Sequence, residues 1–294
     1  VRWDHVSQLS LSLMGNTDLT IAAVPEVPTT VAMDFAARPH TVALGEGDLA
    51  VLTRSITITA SGHYTIYFDN RLNPSSYSAL LTDEGFSATS SVWTLFSGFE
   101  QSRMLFGDAG GTLAVLGAPA DLLATVVGGG GADAVEVRGL PAGSTLDVQA
   151  GAGDDRLRLV GDADALEAAD GVVFFHGGDA TDRVQVDASA AESVPAGLWL
   201  EQDDSAPWPY IGSSFAAIRG LGMTNGVYYE QAENLQIALT PENDTVFLEA
   251  TPAQLQTVSI QGLAGDDVFH VGGTDTLRNL HGSISLDGGA QAAG

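Results

Sequence analysis

Apolar and polar residues alternate in short runs along the whole chain. Leu9-Ser-Leu-Ser-Leu13, Ser55-Ile-Thr-Ile-Thr59, Ala134-Val-Glu-Val137, Arg156-Leu-Arg-Leu159 and Gly282-Ser-Ile-Ser-Leu286 each place apolar side chains at every second position. That is the period of a strand with one buried face. Long segments with a 3.6-residue apolar period are missing, and clusters of Gly, Asp, Asn and Pro punctuate the runs as turns. The pattern predicts an all-β chain.

The turns themselves recur. A Gly-rich turn closed by Asp and followed by a strand stands at Gly128–Val137, Gly151–Leu159, Gly177–Val186 and Gly262–Val271, with relatives at Pro241–Leu248 and Gly15–Ile21. The closing Asp residues are spaced by 22, 27 and 23 positions (133 to 155, 155 to 182, 244 to 267). A longer period lies above this one. Tyr229–Leu239 parallels Trp3–Leu13, and Tyr67-Phe-Asp69 resembles Val184-Gln-Val-Asp187, each of the latter two preceding a long Ser- and Pro-containing excursion. Coils of this length holding two or three short strands predict a right-handed parallel β-helix, a β-solenoid with irregular loop excursions. Three repeat units are expected: 1–105 with an excursion at 70–91, 106–240 with one at 188–225, and a third beginning at 241–294. The array is expected to continue past both ends. A pair of tandem β-sandwich domains divided near Gly117–Ala120 would also explain the strands, but not the recurring turn.

Stacked coils would set Asp133, Asp155 and Asp182 in one column and Asp244 and Asp267 in another. Carboxylates about 5 Å apart repel by roughly 3 kcal/mol at a protein surface, so such a column needs a cation or hydrogen bonds. Calcium takes six to eight hard oxygens, and Gly-rich turns offer carbonyls beside the carboxylates. Asp133, Asp154, Asp155, Asp179, Asp182, Asp266 and Asp267 are the candidate ligands. The alternative is that each Asp caps its own turn.

The turns Gly151-Ala-Gly-Asp-Asp155 and Gly262-Leu-Ala-Gly-Asp-Asp267 resemble those of haemolysin-type (RTX-like) calcium-binding repeats. The order of Gly220-Leu-Gly-Met223, Gly226-Val-Tyr-Tyr229 and Ala232–Leu239 is similar to giant bacterial extracellular repeat adhesins. The likeness covers 96–289 well and 1–21 weakly. It implies secretion, a solenoid, and an adhesive or matrix role, with calcium as the expected cofactor. RTX repeats run in nine-residue tandem, whereas here single turns are separated by a whole coil, so their calcium sites do not transfer directly.

Charge narrows the partners. The 294 residues include 37 acidic and 11 basic side chains, the latter all Arg, for a net charge of −26. Nucleic acid and anionic membranes are excluded as natural partners, and no apolar run is long enough for membrane insertion. Copies of the chain, neighbouring repeats and surface glycans are the expected partners. Cys is absent, so neither disulfides nor thiolate sites can form.

No nucleophile elbow, HExxH, Walker or EF-hand motif occurs. Gly128–Gly131 and Gly220-Leu-Gly222 open no expected helix, and His176 and His270 read as polar positions beside strands. The best enzymatic alternative is a carbohydrate-binding or polysaccharide-degrading β-helix with acid pairs such as Asp203/Asp204 or Asp162/Asp164. A lyase for acidic glycans would need Lys or Arg to neutralise its substrate, and arginines are sparse here, with only Arg156/Arg158 standing together. The chain is therefore expected to be a non-catalytic structural or adhesive segment of a large secreted surface or filament protein. Aromatics in and beside the excursions (Trp199, Trp208, Tyr210, Phe215, Tyr228 and Tyr229, mirrored by Tyr77, Phe86, Trp93 and Phe96) either pack against the coils or form a sugar-stacking platform or a contact between neighbouring molecules.

Overall fold

The computed structural model describes residues 9–13, 18–22, 29–89, 92–161, 166, 169–191, 197–211, 213–273 and 277–290. Trp3–Gln8 and the pair Asp162/Asp164 lie outside the described residues. The chain is nearly all β. Single 3-10 turns at Leu49–Val51 and Leu277–Asn279 are the helical elements among the described residues.

From residue 101 to 187 each strand skips its sequence neighbour and pairs, in parallel, with the strand after it. Gly111–Val115, Ala134–Val137, Arg156–Val160 and Arg183–Asp187 build a first sheet. Gln101–Leu105, Leu123–Val127, Thr145–Ala152 and Val172–Asp179 build a second. The chain crosses from one sheet to the other at every turn. Thr29–Leu44 and Ile56–Asp69 are long enough to belong to both, bending where their register shifts near Ala36. Strands on either side of 117–120 pair with one another, so pairing runs straight through the point where two sandwiches would divide.

Parallel pairing in register keeps side-chain parity constant from strand to strand. Leu113, Val135, Leu157, Val184, Leu235 and Val258 therefore form one column in the first sheet. Val126, Val148, Phe175 and Tyr229 form one in the second. All of them are buried and join a single apolar cluster. Each fully buried Leu, Val or Phe stabilises by about 1.5–3 kcal/mol, and the alternation read in the sequence is this column.

The excursions differ from expectation. Neither is an irregular loop; each contributes a three-stranded antiparallel meander inserted within a sheet. In the first sheet, Val92–Ser97 pairs with Ile56–Asp69, passes antiparallel to Gly85–Thr89 and then Tyr77–Leu81, and Tyr77–Leu81 resumes the parallel ladder against Gly111–Val115. In the second, Met223–Glu230 pairs with Val172–Asp179, then Phe215–Gly220, then Gly197–Asp203, which resumes the ladder against Thr245–Leu248. The inward residues of both middle strands, Phe86, Ala216 and Ile218, join the main core. Ser, Pro and Gly at the connections masked the strands they join.

Candidate functional site

The recurring turn brings Asp133, Asp155 and Asp182 into register before strands of the first sheet, and Asp244 and Asp267 before strands of the second. Each buried carboxylate reaches back to the backbone of the preceding turn. Asp133 Oδ1 accepts from Gly111 N at 2.6 Å, Asp155 Oδ1 from Asp133 N at 2.7 Å, and Asp182 Oδ1 from Asp155 N at 2.8 Å. Glu233 closes the column, accepting from Asp182 N at 2.7 Å. In the other sheet Asp267 Oδ1 accepts from Asp244 N at 2.9 Å.

The residue just before this carboxylate reaches the opposite way. Asp154 Oδ1 accepts from Thr181 N at 3.1 Å and Asn243 Oδ1 from Asp266 N at 2.7 Å; Asp108, in a turn without the closing Asp, also reaches forward, accepting from Gly130 N at 3.1 Å. Asp154-Asp155 is thus a two-way clip, Asp155 holding the turn behind and Asp154 the turn ahead, while Asn243 and Asp267 bond two successive turns of the other sheet to each other. Contacts within a turn also occur, with Gly129 N donating to Asp133 Oδ2 at 3.2 Å and Thr240 N to Asp244 Oδ2 at 3.0 Å. Asp154, Asp179 and Asp266 are exposed, whereas Asp133, Asp155 and Asp182 are buried.

Glycine makes room for the clip. A Cβ on Gly177 would lie 2.5 Å from Asp182 Oδ2 and 1.9 Å from Gln231 O. Gly128 is equivalent, its Cβ falling 2.4 Å from Asp133 Oδ2. Gly177→Ala is expected to lower unfolding free energy by about 1–3 kcal/mol, as overpacking does. Gly273→Ala, whose Cβ would meet only Glu249 O at 4.0 Å, should leave it unchanged in the same denaturant titration.

Burial raises the carboxyls of Asp133 and Asp182 to about 6 and that of Asp155 to about 7. For Asp155 the neighbouring Asp133, Asp182 and Asp154 add to the effect of burial. Oδ2 of Asp155, of Asp182 and of Asp267 is buried without a hydrogen-bond partner. Among the described residues, no three His, Asp or Glu side chains converge as a metal site.

A second cluster sits on the outer face of the second sheet. The connection from Asp203 to Phe215 folds back over that face, where Phe174, Ala206, Phe215, Ala217 and Tyr228 form a small separate core with Tyr210 against it. Tyr210 therefore packs, while Trp208 remains 53% exposed. Beneath the connection, His176 Nδ1 lies 2.6 Å from Glu230 and its Nε2 3.2 Å from Asp147. The Tyr210 hydroxyl donates to Asp147 Oδ2 at 3.2 Å and Gln149 to the same oxygen at 3.0 Å. Burial pulls the His176 imidazole down, yet the two carboxylates outweigh it and raise it above the usual histidine value. Sequence reasoning took His176 for a plain polar position, because its partners lie 29 and 54 residues away (147 and 230). Beside it, Arg219 binds Glu201 at 2.7 Å, the Tyr228 hydroxyl at 2.8 Å, and Asp203.

Arg158, one of the two neighbouring arginines, is held between Glu136 at 3.0 Å and Asp187 at 2.8 Å. Arg156 donates to Gln185 at 2.6 Å. Asp204 accepts from Ser214 rather than facing Asp203 across a cleft. No described helix is long and apolar enough to cross a membrane. No family model, curated protein or solved structure matches the chain.

Proposed function

We propose that the chain is a non-catalytic structural and adhesive segment of a secreted or cell-surface protein, folded as a two-sheeted β-solenoid. The observation that supports this most is the clip. A side chain that bonds backward and another that bonds forward at successive turns serve to lock layers, and offer no reacting atom. Outside the two meanders each layer holds one strand per sheet, with the crossovers taken as right-handed because nearly all parallel β-crossovers are. The charge of −26 keeps such a body soluble and away from phosphate surfaces. The likeness of the turns to RTX-type extracellular repeats points to the same location.

Antibody against the purified chain is expected to label intact, unpermeabilised cells of the producing organism or their surrounding matrix. Labelling only after permeabilisation overturns the proposal. Calcium at the corners is proposed as an addition to the hydrogen bonds, through the exposed Asp154, Asp179 and Asp266. A thermal midpoint that climbs with calcium concentration and falls with a chelator supports it. An unchanged midpoint leaves the clips alone to hold the layers.

A further inference from the structure

Trp199, Phe247 and His270 are in register on the outer face of the second sheet. Their rings stack nearly parallel, with interplanar angles of 8° and 9° and centroids 5.4 and 4.8 Å apart. Phe247 covers one face of the Trp199 indole. On the other side the register partner of Trp199 is Arg219, followed in sequence by Gly220, which carries no side chain. A Cβ on Gly220 would lie 3.2 Å from the indole and 1.8 Å from Gly197 O, so this position must stay bare. The depression here has a volume of about 460 Å³, and Glu201, Arg219, Met223, Thr224 and Asn225 line it together with Trp199 and Gly220. Trp199 remains 39% exposed.

We propose that this depression binds a neutral pyranose ring of a glycan, stacked on Trp199. Sugar rings present an apolar C–H face that suits an indole, and hydroxyls that suit a carboxylate, a guanidinium and an amide arranged around it. The charge balance selects a neutral sugar. Arg219 is already held by Glu201 and Asp203, so no uncompensated cation faces the depression, and the acidic surface repels uronates and sulfated chains. The Phe247–His270 stack backs the indole and fixes its plane before any ligand arrives, which reduces the ordering cost of binding. This site deepens the adhesive part of the proposed function and rests on it for its biological setting, but the chemistry is testable by itself.

The experiment is titration calorimetry and array binding of the purified chain with neutral hexose oligosaccharides and with hexuronate oligosaccharides. Neutral oligosaccharides should bind, and Trp199→Ala should weaken them by about tenfold or more. Leu72→Ala, at a large exposed residue beside Gly47 in the layers before Gln101, should bind as the parent does. Should Trp199→Ala fail to fold, Trp199→Phe keeps a ring on Phe247 with less stacking area and should bind at intermediate strength at an unchanged melting midpoint. Three results overturn the proposal: no neutral oligosaccharide bound, equal binding by the Trp199 variants, or preference for hexuronates. Failure here, with surface labelling intact, removes this ligand and leaves the structural reading standing; loss of surface labelling with sugar binding intact does the reverse.

Discussion

Asp155→Ala should lose about 1–3 kcal/mol of unfolding free energy, the cost of leaving a buried N–H without an acceptor. The stranded group is the backbone amide of Asp133, which donates to Asp155 Oδ1. Asp155→Asn makes the stronger test. It keeps the accepting oxygen and removes a charge that burial and three neighbouring carboxylates oppose. Its amide nitrogen can take the place of an oxygen that has no partner. At pH 8 the Asn variant should therefore lose less than half of what the Ala variant loses, read by urea denaturation. An Asn variant as unstable as Ala would mean that the negative charge itself is needed. That outcome would move the corners from hydrogen bonding toward cation binding.

Acidification from pH 8 to pH 5 should stabilise the protein. Asp133, Asp155 and Asp182 titrate at about 6, 7 and 6 when folded, against 3.8 for the free side chain. Across this window the folded chain binds more protons than the unfolded one, so stability falls as pH rises. Their contribution is complete below the unfolded value and lost as pH climbs through 6–7. His176 works in the same direction, since its raised value favours the charged fold until pH passes it. Asp18, Asp69, Glu136, Asp187 and Asp203 are shifted downward. Their contribution is present above the ordinary carboxyl range and lost only at lower pH. A melting midpoint that gains about 5 °C between pH 8 and 5 and declines below pH 4 is the expected profile. In Asp155→Asn the gain should shrink. A midpoint that is flat or falls over the upper range would show that the buried carboxyls titrate normally.

The sequence made the corners legible because their signal is local. A Gly-rich turn closing on Asp, then two outward and two inward residues, repeats within ten positions at Gly128, Gly151, Gly177 and Gly262. Stacking such units places Asp133 over Asp155 and Asp182 with no further information. The direction of each clip was not legible, since whether Asp154 reaches forward and Asp155 back depends on alternation at a bend. The meanders were hidden for another reason. Leu198-Trp-Leu200 alternates as well as any strand, yet its partners are Ile218 on one side and Val246 and Leu248 on the other. Nothing within the segment announces that pairing. The stack of Trp199, Phe247 and His270 and the Asp147–His176–Glu230 cluster exist only once register is known, because each draws residues from three separate strands.

The two meanders also bear on the course of the long axis. Three strands separate Val172–Asp179 from Thr245–Leu248 in one sheet, while a single strand separates Arg183–Asp187 from Thr257–Gln261 in the other. The earlier insertion creates the same surplus with the sheets exchanged. Two surplus strands would fan one flank open by about 10 Å at ordinary strand spacing. Because the wedges open on opposite flanks, the second undoes the tilt of the first. In a solenoid of these layers the axis would sidestep and resume its heading, and excising either insert alone would leave a permanent elbow.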